Sequence, residues 1–323
     1  MAVYTEISDD ELARFIRSYD LGSLLSCKGI AEGVENTNYL VHTTKGAFIL
    51  TLYEKRVDPK DLPFFLGLME HLSARGVTCP LPVRDSEGRV LNELAGRHAA
   101  LVTFLEGMWP THPKAEHCLE LGKALARMHI AGAGFALHRA NALGLSGWRP
   151  LFEKFSPRAA EILPELKTLI ADELSFLEKS WPADLPQGVI HADLFPDNVF
   201  FIDDKLSGLI DFYFACDDAL AYDIAVSINA WCFEPDCEFN AGKGRALLEG
   251  YNSVRPLTDA ERKAFPTLAR GAAMRFLLTR SYDWLNTPKD ALVARKDPID
   301  YVRRLRFHQT VRSIEDYGFE LAR

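Results

Sequence analysis

Several things are scarce in this sequence, and each absence removes a class of function. No apolar run approaches the about 20 residues that a membrane helix needs. The opening residues, Met1 to Glu6, carry neither a basic cluster nor an apolar core of the kind a secretory leader has. We therefore expect a soluble, cytoplasmic protein with no membrane partner. Positive charge is in deficit too: 37 Lys and Arg stand against 45 Asp and Glu, a net charge of −8. Nucleic acids and anionic lipid surfaces select the opposite balance, so no nucleic-acid partner is expected. ATP is not excluded, since a nucleotide needs only a local positive field. The six cysteines include no Cys-x-x-Cys pair. Cys232 and Cys237 flank Glu234 and Asp236, but no His lies nearby to complete a metal-ligating set, so reduced thiols are the expectation. Glycine is thin where a phosphate loop would want it: after Gly29, Gly33 is the only one before the strand beginning near Thr37.

What is present is the make-up of an ordinary globular enzyme. The chain has 323 residues, 48% hydrophobic and 25% charged, enough for one large or two moderate domains with a sizeable core. Ser8-Asp9-Asp10-Glu11 fits a helix capping box, with Leu12, Phe15, Ile16 and Tyr19 at helical spacing and Gly22 as its left-handed stop. Residues 37–42 and 47–53 read as paired strands around a turn at 43–46, and Asp58-Pro59 opens a helix carrying Leu62, Phe65, Leu66, Met69 and Leu72. Short strands are predicted near Val83, over 89–91 and over 98–104. Beyond Phe104-Leu105-Glu106 the pattern turns helical, over about 116–132, 157–180, 220–233, 240–252, 258–286 and 298–315, interrupted only by a hairpin over 199–212. The predicted architecture is α+β, with a small antiparallel β lobe over residues 1–104 and a larger, mainly helical lobe over 105–323. A cleft between two such lobes would be a natural ligand site.

The richest chemistry lies in His191-Ala192-Asp193-Leu194-Phe195-Pro196-Asp197-Asn198, followed by Ile210-Asp211-Phe212. The form is His-x-Asp-x-x-x-x-Asn, a hairpin, then Asp-Phe, which is how kinase-type phosphotransferases arrange a base and two metal-holding side chains. Asp193 would accept or orient the proton of a substrate hydroxyl, and Asn198 and Asp211 would hold Mg²⁺ on the triphosphate. His191 is better suited to bracing the loop than to proton transfer. A plain turn, with Pro196 supplying the bend, remains the alternative for Asp193 and Asp197.

These segments resemble the aminoglycoside phosphotransferase and choline kinase superfamily, and the resemblance runs over nearly the whole chain. It implies a protein-kinase-like two-lobe fold that uses ATP and Mg²⁺. It places a nucleotide-binding loop over Glu32 to Tyr39, so Gly33, Asn36 and Asn38 become candidates. Phe104, Leu105 and Glu106 would meet adenine at the hinge, with Leu50 and Ile210 covering its faces. Asp223 matches an Asp that ties down the catalytic loop in that family, although a helix N-terminal carboxylate is the simpler reading. One feature departs from the pattern. Related kinases carry a Lys or Arg on the second long strand, paired with a Glu on the inserted helix; here those positions are Thr51 and Phe65. Lys55 and Arg56 lie near in sequence, and strand-end surface charge is their other reading.

The acceptor is addressed by Arg270 to Leu285, where Arg275, Tyr282 and Asp283 can share a helical face. An Arg for a carboxylate and an Asp for an ammonium would suit a hydroxylated amino acid, although charges on the rim of a core-packing helix would look the same. This helix, the segment from Asp297 to His308, and Phe48 to Arg56 resemble the homoserine kinases built on this fold. That implies ATP-dependent phosphorylation of homoserine on the route to threonine, with Trp284, Tyr213 and Asp217 as further acceptor candidates, by a monomer or homodimer. Two alternatives stay open: a sister kinase for choline, ethanolamine, methylthioribose or an aminoglycoside, with Trp231, Phe233, Glu234, Asp236 and Glu238 around a cation, or a pseudokinase.

Overall fold

The structure is a computed structural model that describes residues 5–30, 36–54, 57–287 and 295–320. The described residues form two compact units, one ending at Glu106 and the other beginning at Gly107. In the first, helix α1 (Asp9–Arg17) is capped by the Ser8 side chain, which accepts from the Glu11 N–H. The sheet comprises β1 (Leu24–Ile30), β2 (Thr37–Thr43), β3 (Gly46–Leu52), β4 (Asn92–Leu94) and β5 (Arg97–Thr103), antiparallel in the order β1-β2-β3-β5-β4. Helix α2 (Leu62–Ser73) is inserted between β3 and β4. Leu12, Phe15 and Ile16 of α1 pack on Val41, Leu50, Leu52, Ala99 and Leu101, so one face of the sheet is closed by α1. The helix ends at Arg17 rather than at Gly22. That glycine is left-handed (φ 76°), but a Cβ there would lie 2.0 Å from the Thr44 hydroxyl oxygen, so it serves a close approach to the β2–β3 turn.

The second unit contains α3 (Ala115–Ala131), α4 (Leu145–Glu153), α5 (Leu166–Ser180), β6 (Gln187–Ile190), β7 (Val199–Ile202), β8 (Lys205–Leu209), β9 (Cys216–Ala219), α6 (Leu220–Trp231), α7 (Ala241–Val254), α8 (Asp259–Asn286) and α9 (Ile299–Thr310). The capping box at Thr258 forms on both sides and starts α8, which is 28 residues long. Helix α6 is buried along nearly its whole length, packing chiefly on α8, which also carries α4, α5 and α9. Among the described residues no helix is long and apolar enough to cross a membrane.

Several elements differ from the sequence reading, among them the strands expected near Val83 and over 89–91, where the structure has only an isolated bridge at Pro82 and β4. Strand β1 and helix α4 were not expected. The helix expected over 157–180 is split into a 3₁₀ turn (Ser156–Glu161) and α5, because Pro164 lacks an N–H and disfavours helix at the residue before it. The hairpin is also not the only β structure of this unit, since β6 pairs antiparallel with β9 from Gln187↔Ala219 to Ile190↔Cys216. That second ribbon matters because β6 delivers the chain to His191.

Candidate active site

Strand β6 ends at Ile190 and releases the loop 191–198, while β7 and β8 carry the chain out and back. Their turn places Asp203 and Asp204 at φ 48° and 59°, a left-handed pair that Asp tolerates better than most residues. The return strand brings residues 210–211 beside the loop. The Ile210 N–H donates to the Asn198 carbonyl at 3.0 Å, and the Ile210 carbonyl accepts from His191 Nε2 at 3.0 Å. A carbonyl can only accept, so Nε2 bears the imidazole proton, and Nδ1 accepts from the Asp193 N–H at 3.3 Å. Burial pushes the His191 pKa down to about 4, which keeps the ring neutral. Both nitrogens are thus committed to holding the loop, and His191 is a brace.

Ala192 is left-handed (φ 65°), an uncommon conformation for a residue with a Cβ, and it is held from both sides. Asp223, in the first turn of α6 and fully buried, accepts from the His191 N–H at 2.7 Å and the Ala192 N–H at 2.8 Å. It also accepts from His129 Nε2 at 3.1 Å. Burial alone would raise the Asp223 carboxyl, but its hydrogen bonds and charge interactions with His129 and His191 hold it below the usual range. On the other side of the same residue, Arg275 donates to the Ala192 carbonyl. Farther along, the Trp231 indole N–H donates to the Leu194 carbonyl at 2.7 Å.

This cradle presents Asp193, half-buried, beside Asn198. Asn198 Nδ2 donates to the Asp193 carbonyl at 2.8 Å and lies 3.4 Å from its Oδ2. With the amide nitrogen so engaged, Oδ1 is the atom Asn198 has for a cation. Asp211 is exposed and left-handed (φ 63°) at the end of β8. An amide oxygen and a carboxylate, both hard donors at the two ends of one hairpin, suit Mg²⁺ that is otherwise ligated by phosphate and water. The arrangement can orient a hydroxyl at Asp193 and anchor a metal–nucleotide next to it.

Comparison with known proteins agrees with that chemistry. A family model described as phosphotransferase enzyme family matches residues 26–257. The chain belongs to the phosphotransferase enzyme family. Within this family, a homoserine kinase of Rhizobium johnstonii is 62% identical over 321 residues, covering 99% of this chain and 100% of that one. A homoserine kinase of Bradyrhizobium diazoefficiens is 63% identical over 319 residues, covering 98% of each. Among solved structures, amicoumacin kinase hAmiN, in complex with AMP-PNP, Ca²⁺ and Ami, aligns with a TM-score of 0.70 at 16% identity, covering 97% and 96% of the two chains. At that identity the likeness shows the kinase-like fold.

Other expected residues of this phosphotransferase fall in different places. Arg275 is 2% exposed, its guanidinium lying against Phe214 and Phe276 as it reaches Ala192, so it supports the loop and is not open to an acceptor carboxylate. Asp217 sits in β9, where its carboxylate accepts from the Arg139 N–H at 2.9 Å and His138 Nδ1 at 3.2 Å; it pins that segment to the strand. Tyr213 lies in a 3₁₀ turn just after Asp211, and Tyr282, Asp283 and Trp284 are half-buried in the last turns of α8. The Trp284 ring packs under the Arg295 guanidinium at 4.7 Å. Of the residues proposed for a cationic acceptor, Trp231 is 1% exposed and holds the loop, while Glu234, in one turn with Asp236 and Glu238, is paired with Lys243 at 2.7 Å.

In the first unit, Leu50 is fully buried beneath α1, on the face opposite to that expected. Strand alternation gives the other face to Ile49 and Thr51, and Ile49 is the partly exposed apolar residue there. Asn36 Oδ1 accepts from the Glu54 N–H at 3.2 Å, and Asn38 Oδ1 accepts from the Thr51 hydroxyl at 2.8 Å. Thr51 and Asn38 are register partners across β2 and β3, and Phe65 is 1% exposed in α2. A neutral hydrogen bond and an apolar contact thus stand where related kinases have an ion pair. Phe104 is exposed at the end of β5, followed by Leu105 and Glu106. Gly33, Lys55 and Arg56 lie outside the described residues. Residues that the sequence reading gave no individual role are His129, which bonds Asp223, and Arg280, Tyr301 and Arg304 on α8 and α9. The Tyr-x-x-Arg spacing of 301 and 304 was the only sequence signal among them.

Proposed function

We propose that this chain transfers the γ-phosphoryl group of ATP to the side-chain hydroxyl of L-homoserine, the step that commits homoserine toward threonine. The observation carrying the acceptor is the identity of 62–63% to homoserine kinases over essentially the full length of both chains. Asp193 accepts a hydrogen bond from the homoserine hydroxyl and takes its proton as the oxygen attacks phosphorus. Its aim is set by the backbone that His191, Asp223 and Arg275 hold fixed, which is the positional part of catalysis. Asn198 Oδ1 and the Asp211 carboxylate hold a divalent cation, Mg²⁺ by donor chemistry, which when bound neutralises charge on the triphosphate. Phe104 to Glu106 and Ile49 are assigned to adenine. ADP release with ATP and Mg²⁺ against homoserine, serine, choline, ethanolamine, methylthioribose and kanamycin tests the assignment. Turnover is expected with homoserine, and turnover with choline but not homoserine would overturn it.

A further inference from the structure

We infer that Arg280, Arg304 and Tyr301 form the subsite that holds the carboxylate of the amino-acid acceptor, an inference that rests on the function proposed above. Tyr301 opens α9 and is fully buried, yet its hydroxyl has no hydrogen-bond partner of ordinary geometry among the described residues. Arg304, one helical turn later, stacks on the Tyr301 ring at 4.7 Å and donates to the Asn229 carbonyl, while its buried Nε also has no partner among the described residues. Arg280, from α8, lies over the same ring at 4.5 Å with its side chain 14% exposed. Its polar contacts are long for a desolvated cation: 3.3 Å to the Asp297 carbonyl and 3.6 Å to Asp300, whose own side chain is 41% exposed. Buried donors are normally answered, and a half-answered buried guanidinium is costly. Two guanidiniums lie over the one Tyr301 ring, and a planar carboxylate is the anion that such forked donors suit.

The position fits the acceptor and not the nucleotide. Phe195, two residues after Asp193, packs edge-on against Phe276, which packs against Tyr301, at ring separations of 4.9 and 5.3 Å. The candidate metal ligands lie at the ends of the β7–β8 hairpin, whereas these three lie on α8 and α9. A base with metal ligands on one side and incompletely paired cations toward the other is arranged for an acceptor that is an alcohol at one end and an anion at the other.

The test pairs Arg280→Gln with two acceptors, L-homoserine and its neutral carboxamide. For homoserine, kcat/KM should fall about 10- to 100-fold, chiefly through KM, and the preference for acid over amide should collapse toward unity. Arg280→Lys, which keeps the charge but not the fork, should fall between the two, and it serves if the Gln variant does not fold. Thermal stabilisation by ATP reports whether each variant is folded. Equal losses on acid and amide, or no loss on either, would overturn the inference while leaving homoserine as the acceptor. Wild-type turnover of a different carboxylate-bearing alcohol would overturn the proposed function yet support the subsite, provided Arg280→Gln selectively impairs that acceptor. Preference for an acceptor with no carboxylate would overturn both.

Discussion

The backbone of the catalytic loop and the side chains of the α8–α9 face beside it handle buried polarity differently. In the loop, each backbone group described above is answered from within the protein: the N–H groups of 191 and 192 by Asp223, the carbonyl of 192 by Arg275, that of 194 by Trp231, and the carbonyl of 198 by Ile210. On the helix face, the Tyr301 hydroxyl and Arg304 Nε are buried without a hydrogen bond of ordinary geometry, as are the Tyr222 hydroxyl and Arg275 Nε behind the loop, and Arg280 adds only long contacts. The first pattern fixes an atom in space at a cost the fold has already met. The second leaves interaction energy to be realised when an anion arrives. Immobility and receptivity are different demands, and adjoining parts of one site meet them with the same residue types.

The largest expected effect strips the chemistry from the loop without touching its scaffold. Asp193→Asn keeps the backbone carbonyl that accepts from Asn198, so the loop should persist. Steady-state kinetics should show kcat lower by about 10²–10⁴-fold with ATP affinity retained. An unchanged kcat would remove Asp193 from the role of base. Acid should attack next, and it does so through buried histidines. Burial holds His191 down to about 4 and His308 to about 3, against about 6.5 in an unfolded chain. Below pH 6.5 the unfolded chain binds protons that the native state refuses. Stability is therefore full above that pH and declines as pH falls toward 4, by roughly 3 kcal/mol through His191 alone. Urea midpoints at pH 7 and pH 5 measure the decline, and His308→Gln should flatten it. A flat wild-type profile would mean that these rings are not held neutral.

Legibility in the sequence followed the same division. The loop announced itself because its members are close in the chain: His191 to Asn198 are contiguous, and Asp211 returns by a hairpin whose turn residues read plainly. Strand β9, Cys216-Asp217-Asp218-Ala219, could not be read, since two acids in four residues contradict strand propensity and only pairing with β6 makes them a strand. Strand β1 is an edge strand with a mixed burial pattern, so no alternation marked it. Leu50 was placed on the wrong face by one residue, an error that strand periodicity alone could have corrected by choosing Ile49. Arg275 was read as an acceptor contact, whereas it is buried and donates to the Ala192 carbonyl, because helical spacing says which residues share a face but not what that face meets. Arg280 and Tyr301 come from separate helices, and nothing in the linear order joins them.

Two arginines five positions apart on α8 sharpen the contrast into a kinetic signature. Arg275 touches no substrate in this scheme; it holds the carbonyl of a left-handed residue next to the base, so its loss should act on the barrier. Arg275→Met fills similar space but leaves the Ala192 carbonyl buried without its donor, a penalty of roughly 1–3 kcal/mol. If about 1.4 kcal/mol of that appears in the transition state through a displaced Asp193, kcat falls about tenfold, while KM for homoserine and ATP moves little. Guanidinium ion added to Arg275→Ala should restore part of the rate, which a general loss of stability would not allow. Arg280→Gln should do the reverse, raising KM for the acceptor with a smaller effect on kcat. A KM effect from Arg275, or a kcat effect without a KM effect from Arg280, would show that the two arginines do not divide the work as their hydrogen bonds indicate.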